Sequence, residues 1–273
     1  QRAVERGWRE GLRLIQRIGA NARYFTEGAG KVPVDVCQGN AAAGLAIDFY
    51  GRFQAELCGS DDPPRMHFIT PLSGSSVSAD PVSLLRGAPH RELAVRFIEF
   101  VLSEEGQRLW NYAPGTPGGP ERYALRRLPI RRDVYPGRRP VLAESFARHR
   151  RYTVDPLGDP DVNAYRLAQR FTYRPRWTAR HFGFFRDFIR AMCLDAGEEL
   201  RSCWAAIIEA GGPGACPEAV ERMQAFPRRP APVAWASAAD LEREFGRLAC
   251  LREWTEAFRR QYREAERLAG EEG

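Results

Sequence analysis

From Arg2 to Ile18 the apolar residues Val4, Trp8, Leu12 and Ile15 recur at helical spacing, which predicts an amphipathic helix ending near Gly19. The pattern then changes. Val32 to Val36 alternates β-branched with other residues and reads as a strand, Gly39 and Asn40 break it, Ala41 to Ala43 suit a short helix, and Leu45 to Phe49 reads as a second strand. Met66 to Thr70 predicts a third strand, and the polar run Ser73-Gly-Ser-Ser-Val-Ser78 after it suits a hinge or ligand loop. This alternation predicts an α/β arrangement.

Beyond Pro89 the helical period returns. Leu93, Phe97, Phe100 and Val101 share one face, and Ser103 is placed to cap a following helix that carries Glu104 and Glu105 in its first turn and closes at Trp110. Ala113 to Pro140 is dense in Pro, Gly and Arg and predicts a long surface loop. The last third predicts helices over Ala179–Leu194, with Phe182, Phe185, Ile189 and Met192 on one stripe, and over Glu199–Glu209, with Trp204, Ile207 and Ile208. A final helix starts at a Ser237-x-x-Asp240 capping box and runs on through Leu241, Phe245, Leu248 and Phe258. There is no internal repeat and no low-complexity tract.

The 273 residues are 44% hydrophobic, enough for a substantial core, and no apolar run reaches the ~20 residues of a membrane helix. The net charge of +6 is carried almost wholly by arginine, since Lys31 is the only lysine; a solvated surface accounts for this more simply than nucleic-acid or acidic-surface binding. Arg126-Arg127, Arg131-Arg132 and Arg138-Arg139 have the planar forks that grip phosphate or carboxylate. The six cysteines lack zinc spacing; either disulfides, with Cys37–Cys58 one candidate and the rest among the four C-terminal cysteines, or buried free thiols fit the count.

Several motifs fail on inspection. Gly28-Ala-Gly-Lys31 lacks the first glycine and the Ser/Thr of a phosphate loop, and Asp159-Pro-Asp-Val-Asn163 lacks the glycine and terminal glutamate of a calcium loop. His67, His90, His149 and His181 are scattered, and neither a nucleophile elbow nor a zinc-peptidase helix is present, so the chain reads as a non-enzyme.

Two stretches carry a family resemblance. Val34-Asp-Val-Cys-Gln-Gly-Asn-Ala-Ala-Ala-Gly-Leu-Ala-Ile-Asp-Phe-Tyr50, and Pro89-His-Arg-Glu-Leu-Ala through Leu102-Ser-Glu-Glu-Gly-Gln107, together resemble the type 2 periplasmic solute-binding proteins of ABC importers, in particular the ferric-iron-binding branch. The resemblance implies a type 2 periplasmic-binding-protein-like α/β lobe over residues 1–155, its N-terminal half missing because the sequence opens at Gln1 inside a helix, followed by an all-helical C-terminal extension over 156–273. It further implies an exported, periplasmic or extracellular monomer that closes two lobes on a solute and delivers it to a membrane permease, without nucleic acid as a partner.

The site residues that follow are Asn40, Asp48, Tyr50, Ser75, Ser76 and Ser78. The ferric relatives use two adjacent tyrosines where this chain has Phe49 and Tyr50, so a bound Fe(III), as transported ligand, would rest on the Tyr50 phenolate alone. An oxyanion or small organic ligand is the other expectation, with Asp48 suited to a cationic ligand. Asn40 can cap the short helix or help bind an anion, and the serines offer hydroxyls or plain turn chemistry. Two alternatives remain: an arginine-rich module for nucleic acid or acidic surfaces, and an enzyme on the same fold.

Overall fold

Amphipathic helices make up most of the described residues, and those of one of the chain's two units share an aromatic core. The computed structural model describes residues 2–58, 64–71, 75–77, 80–123, 125–134, 153–154, 165 and 171–272. In chain order the helices are α1 (Arg2–Asn21), α2 (Lys31–Cys37), α3 (Asp48–Cys58), α4 (Arg91–Leu102), α5 (Glu104–Asn111), α6 (Phe182–Ile189), α7 (Gly197–Glu209), α8 (Pro217–Met223), α9 (Ala238–Phe245) and α10 (Arg247–Glu272). A π-helical turn, Arg190–Asp195, joins α6 towards α7. Among the described residues, strand is confined to β1 (Phe68–Ile69) and β2 (Thr153–Val154), which pair in parallel with Phe68 opposite Thr153.

The chain divides into two units, Gln1–Phe25 with Arg174–Gly273, and Thr26–Tyr173. In the first unit α10 is the central element. Cys250, Trp254, Phe258, Tyr262, Ala265 and Ala269 fall three or four residues apart and are all fully buried, so one stripe of a long helix is covered along its length. Phe188 of α6 meets Trp254 and Phe258 edge-on, at centroid distances of 5.3 Å each, and Phe184 stacks on Phe188 and on Trp8 of α1. Leu200, Cys203 and Ile207 of α7, with Met223 of α8, complete the core. Such edge and offset stacks add to the burial of the rings themselves.

One polar network runs through this core. Gln16 of α1 donates from Nε2 to the carbonyl of Met223 and to the Tyr262 hydroxyl, each at 2.8 Å, and Tyr262 in turn donates to the carbonyl of Met192 at 3.0 Å. Gln261 donates to Met223 and Ala225 carbonyls at 2.7 Å. These side chains donate to carbonyls in the π-helical turn, at the end of α8 and just beyond it. Burial pushes the Tyr262 phenol well above its ordinary pKa and the Cys193 and Cys203 thiols up to about 12, so these groups stay neutral. At Asp187 the carboxylate is enclosed between Arg186 and Arg247, a clamp from α6 to the first residue of α10.

The second unit is held differently. Cys37 at the end of α2 is disulfide-bonded to Cys58 at the end of α3, making a covalently closed helical hairpin. Ser103 accepts from the Gly106 backbone N–H at 3.1 Å, as its position predicts, and so caps α5. A Cβ on Gly106 would lie 2.2 Å from the Phe100 carbonyl oxygen, so glycine is required where the two helices meet. Gln107 donates to the Val101 carbonyl at 2.8 Å and accepts from the Ile130 N–H at 2.7 Å, which ties the following loop to α5.

The predicted α/β fold is overturned. Val32–Val36 lies in helix α2, Ala41–Ala43 is not helical, and Leu45–Phe49 is an exposed connection running into α3. Val32, Val34 and Val36 satisfy a two-residue period, but Val32 and Val36 are also one helical turn apart, and both pack over Gly44. Pro33 lacks an N–H in the first turn, where none is needed, and Lys31 pairs with Asp35 four residues on. Of the three expected strands only the third survives, as the two residues of β1. A mostly helical chain with a single strand pair is not a type 2 periplasmic-binding-protein lobe, so the family resemblance and the two-lobed closure it implied are withdrawn. From Phe182 on the described residues are mostly helical, in α6 to α10 joined by loops; Gly246 at φ +84 separates α9 from α10 where a single helix is expected, and Ser237 makes no capping hydrogen bond.

Candidate functional site

The α2–α3 hairpin carries three of the expected site residues. Asp48 opens α3, where a carboxylate opposes the helix dipole, and lies 3.5 Å from the buried Arg52 guanidinium four residues on. That ion pair occupies the group suited to a cationic ligand. The Tyr50 ring lies against Gly30, where an added Cβ would be 3.6 Å away, and its centroid is 4.2 Å from that of Phe49. Asn40 does not cap a helix. Its side chain donates to Gln38 at 3.2 Å and to the buried Asp35 at 3.5 Å, closing the turn after α2. Ser75 and Ser76 are exposed, and among the described residues no hydrogen bond links them to the hairpin; Ser78 lies outside the described residues.

The feature that sequence reasoning grouped but did not resolve is Arg126-Arg127. Arg126 has φ +52, a left-handed conformation uncommon outside glycine. That turn sends the two side chains different ways. Arg126 is buried and grips Glu56 of α3 through two bonds of 2.6 and 2.8 Å, donating also to the Asn111 carbonyl at 3.2 Å. Arg127 instead lies over the Phe49 ring, 4.1 Å from guanidinium carbon to centroid, and pairs with Asp80 at 2.5 Å. Its backbone is fixed on both sides: the N–H donates to Trp110 at 3.0 Å and the carbonyl accepts from Asn111 at 2.7 Å.

Electrostatically the two arginines are not equivalent. The Arg126–Glu56 pair is enclosed and bidentate, a structural strut in which loss of either partner strands a charge. Arg127 is partly exposed and its counter-ion Asp80 is 71% exposed, so that pair is weak and exchangeable in water. A guanidinium stacked on an aromatic ring keeps its N–H edge free for a planar or tetrahedral anion.

Elsewhere in the loop, arginines are taken up by neighbours: Arg131 pairs with Asp133, and Arg132 stacks over Tyr165 at 4.4 Å. Arg138 and Arg139, like His149 and Asp159–Asn163, lie outside the described residues. Among the described residues no group of His, Cys, Asp and Glu is placed to hold a metal ion, and no helix is long and apolar enough to cross a membrane. The nearest thing to an acid–base pair is Asp187, with its carboxyl well below the usual range through Arg247 and Arg186, beside Glu242, raised by burial and by Asp187. Both Asp187 oxygens are occupied by guanidiniums, which is the geometry of a clamp between helices.

No family model, no curated protein and no solved structure matches the chain.

Proposed function

We propose that this protein is a non-catalytic binding protein that captures a small anionic solute, an oxyanion or an organic carboxylate, at Arg127. The observation that carries the reading is the placement of the Arg127 guanidinium over Phe49, with an exposed carboxylate as its counter-ion. An incoming anion displaces Asp80 and takes the guanidinium edge, while Phe49 holds the fork and the Arg126–Glu56 strut fixes the backbone beneath it. Tyr50, whose ring is tilted against that of Phe49, is a phenol on the same helix able to donate a hydrogen bond to such a ligand.

The Cys37–Cys58 bridge supports an oxidising, exported location for this capture. In this reading no bond is made or broken. The test is a thermal-shift screen of inorganic phosphate, sulfate and citrate against glucose and spermidine as neutral and cationic controls. An anion that binds raises the melting temperature, by the equivalent of about 2.7 kcal/mol at a hundredfold excess over Kd. Stabilisation by spermidine or glucose alone contradicts the reading, as does no response to any anion.

A further inference from the structure

A second group of cations belongs to no element of the anion site. Across Arg174-Pro-Arg-Trp-Thr-Ala-Arg-His-Phe182 three arginines occur with no Asp or Glu among them. Pro175 sets the first of two short 3-10 turns, Pro175–Trp177 and Ala179–His181. The turns bring guanidiniums onto indoles: Arg174 and Arg176 lie 5.2 and 5.6 Å from the Trp177 centroid, and Arg180 lies 5.7 Å from that of Trp235.

The rings beneath are fixed. The Trp235 indole N–H donates to the Trp177 carbonyl at 2.8 Å, its backbone N–H donates to Glu5 at 2.9 Å, and the buried His181 stacks on its ring with Nε2 2.7 Å from its carbonyl. Glu5, the acid that reaches this region, is engaged by Trp235 and by Arg9. Among the described residues none of Arg174, Arg176 and Arg180 has a carboxylate partner. What sets them apart from other arginines of the unit is the grouping of all three on indole faces. Phe182, two residues past Arg180, is 63% exposed.

We propose that Arg174, Arg176 and Arg180 form a docking site for the phosphate headgroups of an anionic lipid surface. Three exposed guanidiniums held on indole faces have lost part of their side-chain freedom already; Arg180 is further anchored by donating from Nη2 to the Ala236 carbonyl at 2.8 Å, and its other N–H groups and the edges of Arg174 and Arg176 face phosphate oxygens. Indoles and an exposed phenylalanine beside cations are the side chains that settle at the boundary between headgroups and acyl chains. A single-stranded nucleic acid would need open aromatic faces for its bases. Here Trp177 is engaged by two guanidiniums, and Trp235 by Arg180 and His181, so the ladder suits phosphates better than bases.

The experiment is co-sedimentation of the full chain with phosphatidylcholine vesicles, with and without phosphatidylglycerol. Binding is expected only with phosphatidylglycerol, accompanied by a blue shift of tryptophan emission and weakened by added salt. Each Arg→Ala change at 174, 176 or 180 lowers the partition coefficient roughly fivefold, and the triple variant roughly a hundredfold. Circular dichroism checks that the variants are folded; should the triple variant unfold, the single variants and the emission shift of the unaltered protein still decide. The proposal is overturned by equal binding to both vesicles, by a folded triple variant that binds normally, or by a single-stranded oligonucleotide that strips the protein from vesicles at equal phosphate concentration.

Discussion

The Arg127 guanidinium carbon lies 4.1 Å above the Phe49 ring while the neighbouring Arg126 turns inward to Glu56, so two consecutive arginines are divided between a partly exposed, aromatic-stacked position and a buried ion pair. Asp80 is then a resident competitor for any anion at Arg127. Asp80→Ala is expected to tighten anion binding up to ~5-fold, the most an exposed ion pair returns when removed. Calorimetric titration with phosphate measures it, and weaker binding in the variant would show that Asp80 helps to build the site.

The disulfide closes a hairpin whose ends are 21 residues apart. Cys37→Ser, or reduction of the unaltered protein, is expected to cost about 3 kcal/mol through the freed chain entropy of that loop. Urea unfolding with and without reductant reads this directly, and coincident curves would mean that the bridge constrains nothing.

At Gly19 an added Cβ would come 2.7 Å from the Cys193 Sγ and 3.0 Å from its Cβ. The contact is between α1 and the π-helical turn, deep in the core, where neither side can retreat. Gly19→Ala is therefore expected to destabilise by ~1–3 kcal/mol despite the better helix propensity of alanine. A melting temperature at or above that of the unaltered protein would show that the two elements are less closely seated.

Asp187 has its folded-state pKa depressed, chiefly by Arg247 and then by Arg186. The sign follows from that direction. The clamp contributes fully above the ordinary carboxylate range and is lost as pH falls through the lowered folded value. Arg247→Gln is expected to reduce stability at neutral pH, with the gap to the unaltered protein narrowing in acid. Unfolding curves across that range check it; a gap independent of pH would assign the loss to packing.

Much of the helical framework was readable from periodicity. Trp8 and Leu12, the Ser103 cap, and Ile207 all stand where the 3.6-residue pattern puts them. The failures have local causes. Val32, Val34 and Val36 fit both periods within five residues, and only packing over Gly44 chooses the helix. The last helix was read through Phe245 and Leu248, yet Leu248 is exposed and the covered stripe starts at Cys250, because Gly246 resets the helical phase. Phe184 and Phe188, the most buried aromatic residues of α6, do not stand out in the pattern because Phe182, Phe185 and Ile189 make an equally regular stripe on an aromatic-rich helix.

The site was legible only as composition. Arg126-Arg127 stood out as a pair, but a positive φ at arginine has no sequence signal, so their separation of roles did not. Asn40, Asp48 and Tyr50 lie on a helical hairpin rather than on the expected strands, with their side chains turned to Asp35, Arg52 and Phe49. The strand reading of Val32–Val36 removed those contacts from view.

The central claim is that Arg127 holds the solute, and isothermal titration of phosphate, sulfate and citrate into the unaltered protein and Arg127→Ala tests it most directly. The account predicts saturable binding of at least one anion, weakened roughly tenfold to a hundredfold in Arg127→Ala as a charged hydrogen bond is lost, with the melting temperature of the ligand-free protein little changed. Equal affinity in the two proteins would contradict it, and would move the anion site away from Phe49 altogether.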